Sequence, residues 1–597
     1  MKSFFKYVLA TICGIIILSA VAGFLFIITI AAISAGGDSV TKVKDNSVFV
    51  LRLNGFVTER ASEESPIEEL LGESDIKTQG LNEIIWCIQK AKENDKIKGI
   101  YIEGGITLFD SPATAQWIRD ALADFKKSGK WVIAYSDEYM QSSYYVASVA
   151  DSVFLNENGM IDFRGLGGKN YYTTGLLEKA GVKIQAVRVG KYKSFVESVT
   201  RKDMSENDRE QREALIQGVW KHYLSDMAKS RKVTAEQLNQ VANDSIMAFA
   251  TTSDYKKARL IDGVYYPEDV KKIIKRKLGI GEKDDINLLS LEDMVNVPDK
   301  NKNDEGGRIA VYYACGEIVD AATSAFASEQ TIVGSKVVAD IQKLAEDDDV
   351  KAVVLRVNSP GGSAKASEQI WHALKELKAK KPLVVSMGGY AASGGYMISA
   401  PANYIVAEPT TVTGSIGIFG LIPNYSGLVT DKLGITWDGV TTNKYGAYEN
   451  DLIFGKDNDE NLRFMQSYIN RGYDKFIGIV AEGRKMSKEQ VDKIAQGRVW
   501  VATDALPIKL IDQLGTQEDA VKKAAQLAGL KEFHATYHPT GGSWLDRLLN
   551  KKEKKSDFLD EQLREELGDL YEPVMEMRKD KQRNRLQARL PFSTEIR

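Results

Sequence analysis

Apolar positions dominate the start of the chain. No charged residue occurs from Tyr7 through Gly37, a run that contains ICGIIILSAVAGFLFIITIAAI. At about 1.5 Å per residue, a helix of this length exceeds the roughly 30 Å hydrocarbon core of a bilayer. Lys2 and Lys6 precede the run and Asp38 follows it. The positive-inside tendency then predicts a cytoplasmic start, with everything after Asp38 across the membrane. Ile33-Ser34-Ala35 loosely resembles a cleavage site. A signal peptide's apolar core is only about 7–15 residues, however, so an uncleaved anchor over residues 1–45 is expected. No second stretch of spanning length follows.

Beyond the anchor the pattern becomes short and alternating. Val337, Ile341 and Leu344 give a one-faced helix, and Val353-Val354-Leu355-Arg356-Val357 reads as a buried strand. The same order stands earlier, where Ile84, Ile85 and Ile88 precede Gly99-Ile100-Tyr101-Ile102. Trp131–Tyr135 then matches Leu383–Met387, Tyr139–Tyr145 matches Tyr390–Tyr396, and Ala150–Asn156 matches Ala402–Glu408. The offset stays between 251 and 254 residues, which marks a duplication. Alternating strands and helices at this spacing predict an α/β fold with parallel strands in each copy. The expected domains are 46–290 and 307–530, joined by a polar linker over 291–306 and followed by a charged tail over 531–597. The tail segment KKEKKSDFLDEQLREELGDL reads as a solvated helix.

Composition narrows the function. The 597 residues carry 79 basic and 82 acidic side chains, a net charge of −3, so nucleic acid is not an expected partner. Cys13, Cys87 and Cys315 are far apart, which offers no zinc ribbon; Cys87 and Cys315 are expected as buried free thiols. The four histidines, His222, His372, His534 and His538, include no HExxH and none beside a candidate nucleophile. No metal site or cofactor is expected.

Duplication supplies an internal control, because scaffold persists in both copies and one-sided chemistry does not. Only the second copy holds Asn358-Ser359-Pro360-Gly361-Gly362-Ser363, where the first offers Gly104-Gly105. Only the second holds Ala392-Ser393-Gly394-Gly395-Tyr396, against Gln141-Ser142-Ser143-Tyr144-Tyr145 in the first. Ser393 and the Gly394 N–H are expected together at a helix start, where developing negative charge is favoured. Two glycine-rich loops at successive strand ends can converge on one carbonyl oxygen, as acyl transfer requires. No histidine is well placed as the serine's base, and the other common choice is a neutral lysine. Lowering a lysine from about 10.4 to about 7 is worth roughly 4.6 kcal/mol, within reach of burial. Val187–Phe195 contains two candidates, Lys191 and Lys193, between which spacing does not choose.

The anchor, the duplicated domains, and the segments VNSPGGS, AASGGYMIS, TGSIGIFG and GKYKS together resemble the signal peptide peptidase A family in its long, two-repeat form, also called protease IV. The resemblance runs from the anchor past Gly497-Arg498-Val499-Trp500. It implies tandem Clp-protease/crotonase-like domains and a serine–lysine dyad split between the repeats. The family's serine motif falls on Ser393 and its lysine motif on Lys193, leaving Lys191 in a variable position. A lysine-orienting serine falls on Ser415, and the oxyanion donors fall on Gly361, Gly362 and Gly394. The resemblance further implies a serine endopeptidase that degrades remnant signal peptides and other extended apolar peptides. It would sit in the bacterial inner membrane as a single-pass protein, with a periplasmic body assembled as a homo-oligomer, a tetramer in the family, which the tail's Leu586–Phe592 would join. A second dyad from Ser142 and Lys444 is read as inactive. Lys509 departs from the family's usual glycine, which touches only a local turn. The competing readings are a crotonase-like acyl-transfer enzyme and a catalytically inactive membrane scaffold.

Overall fold

The computed structural model describes residues 14, 40–61, 78–244, 247–299, 305–321, 331–539 and 587–589. The expected anchor and most of the charged tail lie outside the described residues. Among the described residues, no helix is long and apolar enough to cross a membrane.

The chain is a mixed α/β protein made of two copies of one unit. In the first, strands Thr78–Gly80, Ser47–Thr58, Ile97–Phe109, Trp131–Tyr139, Ser152–Ile161 and Gly263–Val264 lie side by side in that order, all parallel. In the second, Val412–Gly414, Leu383–Ala392, Val350–Ser359, Gly307–Cys315 and Phe533–His538 form the corresponding parallel run. Leu383–Ala392 is buried at every position, as expected of a strand covered on both faces. Each unit also has one 26-residue helix, Glu206–Arg231 and Asp459–Arg484, ending on a lysine in left-handed conformation. The terminal arginine of each helix forks onto an aspartate, Arg231 onto Asp262 and Arg484 onto Asp512. Those aspartates in turn accept from the backbone N–H of Val153 and Ile405. This is one brace built twice.

Two expected boundaries shift. Phe533–His538 pairs with Gly307–Cys315 and extends the second sheet past residue 530, into the stretch assigned to the tail. Leu291–Val295, assigned to the linker, is a capped helix whose Met294 is buried in the first core. Leu291–Val295 stands in charged sequence and Phe533–His538 is short, with Phe533, Ala535 and Tyr537 on one face; one apolar face suffices to dock each.

A third sheet joins the copies. Lys183–Val189 of the first runs antiparallel to Ile418–Asn424 of the second over seven residue pairs, from Ile418↔Val189 to Asn424↔Lys183. The backbone of Gln587–Arg589 lies antiparallel to Gly361–Ser363 and also pairs with Phe419. The apolar tail segment assigned to self-assembly thus pairs in part with its own chain. Arg356, 1% exposed, crosses between the copies to Glu59 (Nη2–Oε1 2.5 Å) and also reaches Glu408 of its own copy at 3.1 Å.

Candidate active site

The fully buried strand Leu383–Ala392 runs into Ser393 and then directly into the helix Gly394–Ser399. Reversing direction in one residue forces Ser393 to φ 56°, ψ −115°. A non-glycine residue in that region carries strain of order 1–3 kcal/mol and persists only where its surroundings hold it. The Ser393 N–H donates to the Gly414 carbonyl at 2.8 Å, and its own carbonyl accepts from Met397 N–H at 2.9 Å. The two following glycines are required by close approach. A Cβ on Gly394 would stand 2.4 Å from Ser367 Oγ, and one on Gly395 would stand 2.7 Å from the Ser359 carbonyl. The two glycine-rich motifs that looked separate along the chain therefore touch.

Lys193 arrives from the other copy. It follows the strand Lys183–Val189 through a turn at Gly190, φ 109°, where a Cβ would meet the Gln496 carbonyl at 2.5 Å. On its other side, a Cβ on Gly497 would lie 2.7 Å from both Lys193 N and Cβ. Lys193 is 0% exposed. Its Nζ lies 2.8 Å from Ser393 Oγ, 2.9 Å from Ser415 Oγ and 3.0 Å from the Ser415 carbonyl oxygen. Burial pushes its pKa well below the ordinary 10.5. A neutral amine suits this cradle: two N–H bonds are donated to Ser415, and the lone pair accepts the Ser393 hydroxyl proton. Ser415 is itself held at φ 52°, its N–H donating to the Arg498 carbonyl at 2.7 Å. Lys191 is exposed and lies over the Tyr192 ring, away from this cluster.

The loop residues surround the same point. Gly361 has φ 100° and its N–H donates to Ser359 Oγ at 3.1 Å. Gly362 has φ 152°, and a Cβ there would stand 2.1 Å from the Ile318 carbonyl oxygen, so no side chain fits.

The equivalent place in the first copy is built differently. Tyr144 and Tyr396 both donate their hydroxyl to a leucine carbonyl, Leu260 and Leu510, each at 2.8 Å. Aligned on these tyrosines, Gln141 rather than Ser142 stands level with Ser393. The Gln141 amide is spent on backbone, accepting from Arg164 and Gly165 N–H and donating to the Gly165 carbonyl. Lys444 is exposed and paired with Glu460. By strand register the loop that opens at Asn358 starts in the first copy at Gly104-Gly105, as expected, and Ser111, which caps the helix Pro112–Lys126, corresponds to Ser363, which caps Ala364–Lys380.

Sequence reasoning missed the supporting residues. Gln211, fully buried on the long helix of the first copy, donates to the Tyr192 carbonyl beside Lys193. It also accepts from Val499 N–H, next to the Arg498 that holds Ser415. A buried polar residue on a helix otherwise rich in charge gave no signal in the chain itself. Cys87 and Cys315 are free, and burial pushes both thiols up, Cys87 to about 12.

A profile of peptidase family S49 matches this chain twice, over residues 124–280 and 375–531. The chain belongs to peptidase family S49. A Clp protease profile matches residues 325–409 of this S49 peptidase, the stretch bearing both glycine-rich motifs. It is 34% identical to Protease 4 of Haemophilus influenzae over 580 residues, covering 93% of this chain and 92% of that protein. It is 36% identical to Protease 4 of Salmonella typhi over 548 residues, covering 88% and 86% respectively. The chloroplastic serine protease SPPA of Arabidopsis thaliana is 29% identical over 456 residues, covering 74% of this chain and 64% of that one. This S49 peptidase is a serine peptidase.

Proposed function

We propose that this S49 peptidase cleaves peptide bonds with Ser393 as nucleophile and Lys193 as general base. The observation that carries the reading is the 2.8 Å approach of a fully buried Lys193 Nζ to Ser393 Oγ. The free amine takes the hydroxyl proton as Ser393 Oγ attacks the carbonyl carbon. The Gly394 N–H, at the start of its helix, and the Gly361–Gly362 loop stabilise the oxyanion. The lysine ammonium then protonates the leaving amine, which departs and leaves an ester on Ser393. Lys193 next deprotonates a water that attacks the ester; the second product leaves with a free carboxylate, and the serine regains its proton. Ser415 orients the amine throughout.

The substrates are extended peptides. Gln587–Arg589 supports this, since an extended segment pairs antiparallel with Gly361–Ser363 beside the nucleophile. We further assign the charge-free run Tyr7–Gly37 as a single membrane anchor, with the body on the periplasmic side of a bacterial inner membrane. That location favours remnant signal peptides as substrates and a homo-oligomer, a tetramer, as the working form. The test uses the full-length chain in detergent micelles, an internally quenched apolar peptide and a fluorophosphonate label. Wild type is expected to cleave and to be labelled, with a rate that rises as pH deprotonates Lys193. Peptide cleavage surviving in both Ser393→Ala and Lys193→Ala would overturn the dyad.

A further inference from the structure

We propose that Asp110, contributed by the first copy, is a positioning residue for the Ser393 strand, acting through the Asn358 side-chain amide. The inference rests on Ser393 being the nucleophile.

The strand that ends at Ser393 is irregular just before it. Val357 pairs with Met387 and Ser359 with Ala391, so Gly388-Gly389-Tyr390 bulges out opposite the single residue Asn358. A bulge leaves a backbone N–H without its ladder partner, and here Asn358 supplies one. Its Oδ1 accepts the Tyr390 N–H at 3.0 Å. Asn358 also immediately precedes Ser359-Pro360-Gly361-Gly362. One amide therefore couples the strand leading to the nucleophile with the strand leading to the oxyanion loop.

An amide serves this purpose in only one of its two orientations, because a flipped Asn358 would set two N–H groups against each other. Asp110 selects the orientation: Asn358 Nδ2 donates to its Oδ2 at 3.0 Å. Asp110 is in turn fixed by Thr114, whose hydroxyl donates to the other carboxylate oxygen. The surrounding contacts are tight. A Cβ on Gly389 would stand 2.2 Å from Ser111 Cβ, and one on Gly388 would stand 2.5 Å from Glu59 Oε1. The first copy thus presses on the bulge with Glu59 and Ser111 while Asp110 fixes the Asn358 amide that crosslinks it. What Asn358 requires of its partner is an acceptor oxygen.

The experiment measures steady-state cleavage of an internally quenched apolar peptide by the full-length chain in micelles. Fluorophosphonate titration counts competent serines, so kcat is expressed per site. Asp110→Ala is expected to lower kcat about ten- to hundredfold with KM within about threefold, the loss that a small misplacement of reacting groups causes. Asp110→Asn keeps an acceptor oxygen and is expected to restore kcat to within about threefold of wild type. Adding Asp110→Ala to Asn358→Ala should change kcat by less than about twofold, because both act through one bond. Wild-type kcat in Asp110→Ala, an Asp110→Asn as slow as Asp110→Ala, or multiplicative losses in the double variant would each overturn the proposal. If Asp110→Ala does not accumulate as folded protein, Asn358→Ala decides, and wild-type kcat there overturns it. Ser393→Ala runs alongside. Activity remaining in it removes the nucleophile assignment, whereas an inactive Ser393→Ala beside an unaffected Asp110→Ala removes the positioning role alone.

Discussion

The two copies of the fold share their braces and differ in their chemistry. Arg231–Asp262 and Arg484–Asp512 do the same work in each, as do Tyr144 and Tyr396. Yet at the level of Ser393 the first copy has Gln141, bound to its own backbone. The first copy is not idle for that reason. It supplies Lys193 to the buried cluster, Gln211 to hold the lysine's loop, and Glu59, Asp110 and Ser111 to press on the bulge before Ser393. Duplication followed by division of labour lets one copy keep a strained serine while the other delivers a desolvated amine. Neither copy has both.

The largest test of this division is kinetic. Ser393→Ala or Lys193→Ala should lower kcat/KM at least about 10⁴-fold, while Ser142→Ala in the first copy should stay within about twofold. A comparable loss from Ser142→Ala would mean that the copies share the chemistry.

The next test concerns the join against the braces. Arg356→Met leaves Glu59 and Glu408 buried without their cation, and should cost about 3–5 kcal/mol in urea unfolding. Arg231→Ala and Arg484→Ala should each cost about 1–3 kcal/mol, and equally, since the same fork is lost from each copy. Unequal losses would break the claim that the braces are equivalent.

A smaller effect separates function from stability. Burial holds the Lys193 pKa well below 10.5, so the folded amine gives up its proton at a lower pH than it does in the unfolded chain. Stability therefore rises with pH toward the ordinary lysine value and falls as pH drops. Lys193→Met should be inactive yet melt a few degrees, about 2–5 °C, above wild type at pH 7, with the gap closing toward pH 10. A melting point below wild type would show that the hydrogen bonds to Ser415 outweigh desolvation.

The smallest expected effect lies at Lys509, where φ is 63°, and at Arg259 in the corresponding turn, φ 57°. Glycine at either should stabilise by less than about 1 kcal/mol, since relief of the left-handed strain is partly offset by glycine's larger unfolded entropy. A loss of stability at Lys509 alone would mark that turn as specialised.

Much of this was legible in the chain. The repeat offset and the alternation of short apolar strands with one-faced helices predict a duplicated α/β protein. The asymmetry between AASGGY and QSSYY singles out Ser393 before any coordinate is known. Local patterns reveal these features because strand and helix periodicities are written in consecutive residues. Two readings did not survive. Ser142 was aligned one residue off, because Tyr145 was matched where Tyr144 makes the equivalent bond. The stretches around 291 and 533, assigned to linker and tail, hold short elements that dock by one face.

Composition and order along the chain determined the fold class, the duplication and the choice of serine. The family resemblance narrowed the base to Lys193, which spacing alone did not separate from Lys191. Only the tertiary structure decided that Lys193 is dry, that its amine bonds oxygens of Ser393 and Ser415, and that Asp110 meets Asn358 across the join. The physical reason is separation. Lys193 and Ser393 are 200 residues apart and Asp110 and Asn358 are 248 apart. Desolvation and hydrogen-bond direction belong to the space between such residues, and no local pattern encodes them.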